Sequence, residues 1–284
     1  MTMKASRVRL GSLAIAVMVV LAGLVLLPVA ARTPSSDLWR NMYSTQDVWR
    51  VLVNGFASAN PDYAVDYLES DRENASVSSR GSDLRLVLSP MPGQLGNDLR
   101  FETSIGLLPD GSIKLPKLWT TRISAAYRML AFKTESVEDM LDEIQGPFWA
   151  TAVVWFRRPL KEREVEAIWP HAVETVFFPP SARGAEASPI TWSATTNCYS
   201  RGLQECEQIL SNVGQFQRWA SSLTRKDQDL LELVGLDSDE IATRAASGLI
   251  AGILVTSDVS GIRQLAKKPV IEGAQVVEVT RMWR

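Results

Sequence analysis

The chain has 284 residues, 46% of them apolar and 22% charged, with nine tryptophans and a formal net charge of −2. The apolar content is enough for a folded core and excludes a disordered chain, and the near-balanced charge gives no footing for nucleic-acid binding. A single histidine and two cysteines leave little for imidazole or metal chemistry.

Lys4, Arg7 and Arg9 precede an apolar run from Leu10 to Ala31, interrupted only by Gly11, Ser12, Gly23 and Pro28. Wound as a helix rising about 1.5 Å per residue, this run is long enough to cross much of a bilayer. Cations before it and few after it predict the N-terminus inside and the remainder outside the cytoplasm. Two fates stay open. Small residues at Val29-Ala30-Ala31 favour cleavage as a signal peptide near Ala31, while the length of the run and Arg32 beyond it favour a retained single-pass anchor. No cysteine follows the run, which excludes a lipoprotein anchor. Without residues 1–31 the chain keeps 27 basic and 32 acidic residues, a mildly acidic ectodomain at −5.

Residues 32–72 read as a membrane-proximal helical segment. Trp39, Met42, Trp49, Leu52, Val53 and Phe56 recur near helical spacing over 35–57. Asn60-Pro61-Asp62 ends that helix, and a second short helix is expected over Tyr63 to Leu68. Residues 73–120 read as a β-rich segment. Alternating runs at Leu84–Leu88 and Leu99–Ile105 are separated by turn residues, and Asp110-Gly111 marks a hairpin between Gly106–Leu108 and Ile113–Leu115. Asn74-Ala-Ser76 fits a glycosylation acceptor, a pattern too short to be specific.

Residues 121–284 read as an α+β domain. Thr134 or Ser136 can cap a helix with Val137, Met140, Leu141 and Ile144 on one stripe, stopped by Gly146-Pro147. Trp149–Phe156 is a near-continuous apolar run, the pattern of a strand covered on both faces. Pro159 then opens a helix with Val165, Ile168 and Trp169 inward, and Val173–Phe178 is the next strand, which completes a βαβ unit over 149–179. The same order returns over 249–280: a strand at Ile250–Thr256, a helix capped by Asp258 with Ile262 and Leu265 inward, a stop at Pro269 and a strand at Ala274–Thr280. The two units are expected to share one antiparallel sheet, a split-βαβ or ferredoxin-like arrangement, because neither buries a core alone. Between them, residues 190–248 form a helical insertion. It opens with a possible strand at Ile190–Ala194 and continues with helices near Glu205–Leu223, Asp227–Val234 and Asp237–Ala246, the last stopped by Gly248. Ile209, Val213, Phe216, Ala220 and Leu223 keep a heptad-like spacing, read as a stripe packed on the sheet, with a coiled-coil partner as the alternative.

No catalytic constellation emerges. His171, in Trp169-Pro-His-Ala172 at a helix-to-strand turn, reads as a solvated or capping residue, and no nucleophile elbow or phosphate-binding glycine loop is present. The acids Glu135, Glu138, Asp139, Asp142 and Glu143 fall on the polar face opposite the Val137–Ile144 stripe, where solvated charges are expected. Asp237-Ser-Asp-Glu240 resembles the start of a calcium loop but lacks the remainder. Trp149, Trp155, Trp169 and Trp192 fall near the proposed sheet and read as core, with stacking on wall sugars or peptides as the alternative. Trp39, close to the anchor, could equally sit at the membrane interface. Cys198 and Cys206 would close a short loop, worth at most about 2–3 kcal/mol if oxidised outside the cytoplasm; two reduced, buried thiols are the alternative.

Ala152-Val-Val-Trp-Phe-Arg-Arg-Pro-Leu160, Ile250-Ala-Gly-Ile-Leu-Val-Thr256, Ile262-Arg-Gln-Leu265 and Val276-Val-Glu-Val279 together resemble the C-terminal domain of the extracytoplasmic sigma-factor regulators of Gram-positive bacteria, over roughly residues 148–280. The resemblance implies a single-pass protein with its folded domain outside the cell membrane. Two features depart from the family: Ser257 stands where the family has glycine, and only Met1 to Arg9 lie on the cytoplasmic side. An envelope sensor or accessory subunit is therefore implied, and not direct capture of a sigma factor. The resulting expectation is a non-enzymatic, cofactor-free envelope protein, anchored or exported, that binds a protein or wall component. A secreted hydrolase with an unrecognised carboxylate site and a structural assembly subunit are the alternatives. An edge strand of the sheet would be open to a partner strand.

Overall fold

The computed structural model describes residues 49–66, 70, 84–91, 100–107, 113–118, 122–129, 141, 147–179, 190–193 and 211–281. The apolar run before Arg32, the acidic helix around Glu138, the Asn74 acceptor, the Asp110-Gly111 turn, Ile209 and the pair Cys198 and Cys206 lie outside the described residues. Among the described residues no helix is long and apolar enough to cross a membrane.

A π-turn, Trp49–Val53, runs into helix α1 (Asn54–Ala59). The carbonyl of Arg50 accepts the indole N–H of Trp219 and the amide of Asn54, each at 3.0 Å. Side-chain donors entering the backbone ladder go with widened winding at such a point. Val51, Leu52 and Val53 are fully buried, as are Phe56 and Ser58 on successive faces, so this segment has no polar side. The turn Asn60–Asp62 follows, and then strand β1 (Tyr63–Val65). This corrects the helix expected over Tyr63–Leu68. Tyr63 and Val65 point inward, and the stretch pairs antiparallel with Leu88–Pro90, a long-range contact that overrides local helix spacing.

Strands β2 (Leu84–Pro90), β3 (Phe101–Leu107) and β4 (Ile113–Lys114) complete a four-stranded antiparallel sheet in sequence order. Leu84, Leu86 and Leu88 face one core while Arg85 is exposed on the other side, where Val87 is nevertheless buried, so the strand is covered on both faces past its first two residues. Gly106 pairs with Lys114 and Leu107 with Ile113, as the hairpin reading requires.

Helix α2 (Arg122–Met129) was not legible in the sequence. Its cap is remote: Oδ1 of Asp62, itself 3% exposed, accepts the backbone N–H groups of Ile123 and Ser124 at 2.8 and 3.1 Å.

Strand β5 (Phe148–Lys161) runs fourteen residues, through the position where Pro159 was expected to start a helix. The register against the neighbouring strand jumps from Trp155↔Gly252 to Leu160↔Ile250, so Phe156–Pro159 bulge out opposite Ala251. A proline is tolerated there because a bulge asks for no ladder N–H. Helix α3 (Glu162–Ile168) begins after Lys161, whose backbone N–H is taken by the Glu164 carboxylate at 2.8 Å. Strands β6 (Thr175–Phe177) and β7 (Thr191–Trp192) precede helix α4 (Asn212–Ser222), a 3₁₀ turn (Arg225–Asp227), α5 (Gln228–Leu233) and α6 (Ser238–Ser247). Asp237 caps α6 and Gly248 leaves it with φ +55°, as the local signals require, whereas α4 starts at Asn212 behind a Ser211 cap and not near Glu205. Strand β8 (Leu249–Asp258), helix α7 (Val259–Ala266) and strand β9 (Ile271–Arg281) end the described chain.

The second sheet is antiparallel with order β7-β6-β8-β5-β9. The two βαβ units interleave: β8 lies between β5 and β6, and β5 lies between β8 and β9. The insertion adds β7 as a fifth strand. Ala150, Ala152 and Val154 of β5 face the larger core, which includes Val165 of α3, Phe216 of α4 and Ile262 of α7. Val153, Leu254, Phe177 and Val277 face a smaller cluster closed by Ile123 and Ala126 of α2. The continuous apolar run of β5 is thus explained by cover on both faces.

Arg50 ties the first helix to the insertion. Its Nη1 donates to the carbonyl and hydroxyl of Ser222, both at 2.6 Å, and its Nη2 lies 3.8 Å from the buried carboxylate of Asp227. Asp227 in turn accepts the backbone and hydroxyl of Thr224 at 2.7 and 3.0 Å.

Two substitutions test this packing. A Cβ on Gly252 would lie 2.7 Å from the Val154 carbonyl and 2.8 Å from the Trp155 ring. Gly252→Ala is therefore expected to lower the urea midpoint by an amount worth about 1–3 kcal/mol, and an unchanged midpoint would disprove the close approach. Asp258 caps α7 through Gly261 N at 2.6 Å, and the Ser260 hydroxyl, then that amide, hold its carboxyl below the ordinary range. A depressed folded-state pKa stabilises above the unfolded value and loses that contribution as pH falls through the folded one. Asp258→Ala should cost about 1 kcal/mol near neutral pH, with the gap to wild type narrowing in acid. A gap that stays constant from neutral pH into strong acid would refute the ionised cap.

Candidate functional site

Glu174, Thr256, Thr151 and Glu278 form a polar row across four strands. Glu174 stands immediately before β6, and its backbone N–H donates to Leu254 O at 3.1 Å. Its partly buried carboxylate accepts the hydroxyl of Thr256; burial raises its pKa, and that hydrogen bond offsets part of the rise. Thr256 Oγ1 lies 2.7 Å from Thr151 Oγ1. Either hydroxyl can be the donor in that pair, and with Glu174 ionised the Thr256 proton goes to its carboxylate. Across the next strand, Thr151 is in register with Glu278, whose side chain is buried at 6% exposure.

Two residues along β5 on the same face stands Trp149, 41% exposed and in register with Asp258 and Thr280. Val279 on β9 is 38% exposed beside Ala150. Phe101 is the remaining large apolar side chain exposed among the described residues. One end of the β5–β9 pair therefore carries an open indole beside a hydroxyl–carboxylate row on one face and an open valine on the other, since Val279 is in register with Ala150 of the larger-core face. The chemistry available is hydrogen bonding to hydroxyl or amide groups, apolar cover from the indole, and a proton retained on Glu174 to higher pH than usual.

The other residues singled out in the sequence take structural places. Trp192, Trp169 and Trp219 are buried, and Trp155 lies at the smaller cluster 5.4 Å from Phe177. The aromatic reading as core holds for these and fails for Trp149. Val213, Phe216 and Ala220 are also buried, with Phe216 stacked on Phe178 at 4.0 Å and edge-on to Trp192 at 5.6 Å. The heptad-like stripe is thus packed on the sheet. His171 is exposed at its turn, its ring edge-on to Trp169 at 4.9 Å. Asp237 serves as a helix cap. Among the described residues no three His, Cys, Asp or Glu side chains gather as a metal site would need.

Sequence reading does not find the row, although each acid is the lone charge in a short apolar run: Glu174 in Val173–Phe178 and Glu278 in Val276–Val279. A solitary acid inside a short apolar run is the signal that points there.

The chain matches no family model, no curated protein and no solved structure.

Glu174 yields a pH test. With its folded-state pKa raised, the stability from the neutral carboxyl is complete below the ordinary carboxylate range and is lost as pH rises through the raised value. Glu174→Gln should keep the Thr256 contact and remove the titration. Chemical denaturation from about pH 4 to about pH 8 should show wild type losing stability relative to the variant. Parallel profiles would count against the buried carboxyl.

Proposed function

We propose that this is an envelope protein, membrane-anchored or exported, whose ectodomain binds an extended segment of a partner protein at the Trp149–Val279 end of β5 and β9, in an extracytoplasmic sensing or signalling role. The observation that carries the reading is the exposure of Trp149 and Val279 at one end of a strand pair whose other large apolar residues are covered. Indole rings anchor protein interfaces well because they bury much area at small entropic cost. The envelope location is supported by the three cations ahead of the Leu10–Ala31 run. The interleaved order of the two units is what a ferredoxin-like sheet requires, and the likeness to sigma-factor regulators rests on the strand and helix patterns of residues 148–280.

A carboxylate hydrolase has one observation in its favour, the proton-retaining Glu174 in line with Glu278. Thr151 at 2% and Glu278 at 6% exposure are withdrawn from any substrate, which favours the binding reading. Assembly through the insertion helix loses its basis, since Val213 and Phe216 already face the core.

The test is photo-crosslinking in intact cells. A crosslinker at Val279 is expected to give a discrete adduct that Trp149→Ala weakens severalfold, while one at exposed Arg218 on α4 gives none. Equal adducts at both positions, or none at Val279, would overturn the site. Separately, a reporter on the C-terminus should be active only when it requires export, and cytosolic activity would overturn the envelope assignment.

A further inference from the structure

We draw no further inference here: the strongest candidate, the row of Glu174, Thr256, Thr151 and Glu278 across one face of the five-stranded sheet, belongs to the site already described and has no second feature beside it that shows what it would hold.

Discussion

Both sheets and the insertion meet on the helical segment from Trp49 to Ala59, and the burial of every residue from Val51 to Ser58 is the constraint on which the rest of the fold depends. Val51, Leu52, Val53 and Phe56 are each 2% exposed or less. At about 1.5–3 kcal/mol for each large apolar side chain fully buried, such a segment contributes as much as a small domain's net stability. Its polar groups are held in three directions. Thr191 of β7 donates its hydroxyl to Ser58 O at 2.9 Å, Trp219 of α4 donates to Arg50 O, and the Arg50 guanidinium reaches Ser222 and Asp227. Gly55 extends the same logic to packing, because a Cβ there would lie 3.2 Å from Val234 and 3.3 Å from Leu231 of the α5 region. Elements more than a hundred residues apart in the chain are therefore fixed against one another by the first eleven described residues.

Asp62 relays that constraint onward. It lies just past the segment, and its carboxylate caps α2 while its carbonyl accepts Met91 N at 2.7 Å. One residue thus positions the helix that closes the smaller face of the second sheet and the end of the first sheet's β2. Two unpaired buried amides would be left if that carboxylate were missing, each worth about 1–3 kcal/mol.

The distance over which each element is specified decides what the sequence reveals. Helices α6 and α7 carry their own caps in Asp237 and Asp258, so their starts are visible within four residues, while the apolar spacing from Ile209 masks the Ser211 cap that starts α4. Helix α2 borrows its cap from a turn 61 residues earlier, and no local pattern announces it. Strand β1 is made by its pairing with Leu88–Pro90, and Pro159 stays in β5 because a bulge opposite Ala251 absorbs it. The candidate site is illegible for the same reason. Thr256, Thr151 and Glu278 lie in three strands and Glu174 just ahead of a fourth, and only the interleaving of the two βαβ units sets them in one row.

That interleaving also shapes how a partner can approach. β9 is an edge strand, and among the described residues it pairs with β5 alone. Its ladder is broken twice, by an extra residue at Glu272 and another at Val277, and Glu278 turns its charge inward. Bulges and inward-pointing charges are the devices by which edges resist indiscriminate strand addition. A partner strand would lose register at each bulge, so continuous augmentation along β9 is disfavoured. What survives is the short stretch from Glu278 to Arg281 beyond the last bulge, the stretch that runs beside Trp149 and carries exposed Val279. In the proposed reading, recognition there would draw its energy from the indole on one face and the valine on the other, and its register from a few backbone pairs. An interface of that kind would select a partner by side chain, while the bulges and Glu278 leave the rest of the edge poorly matched to other strands.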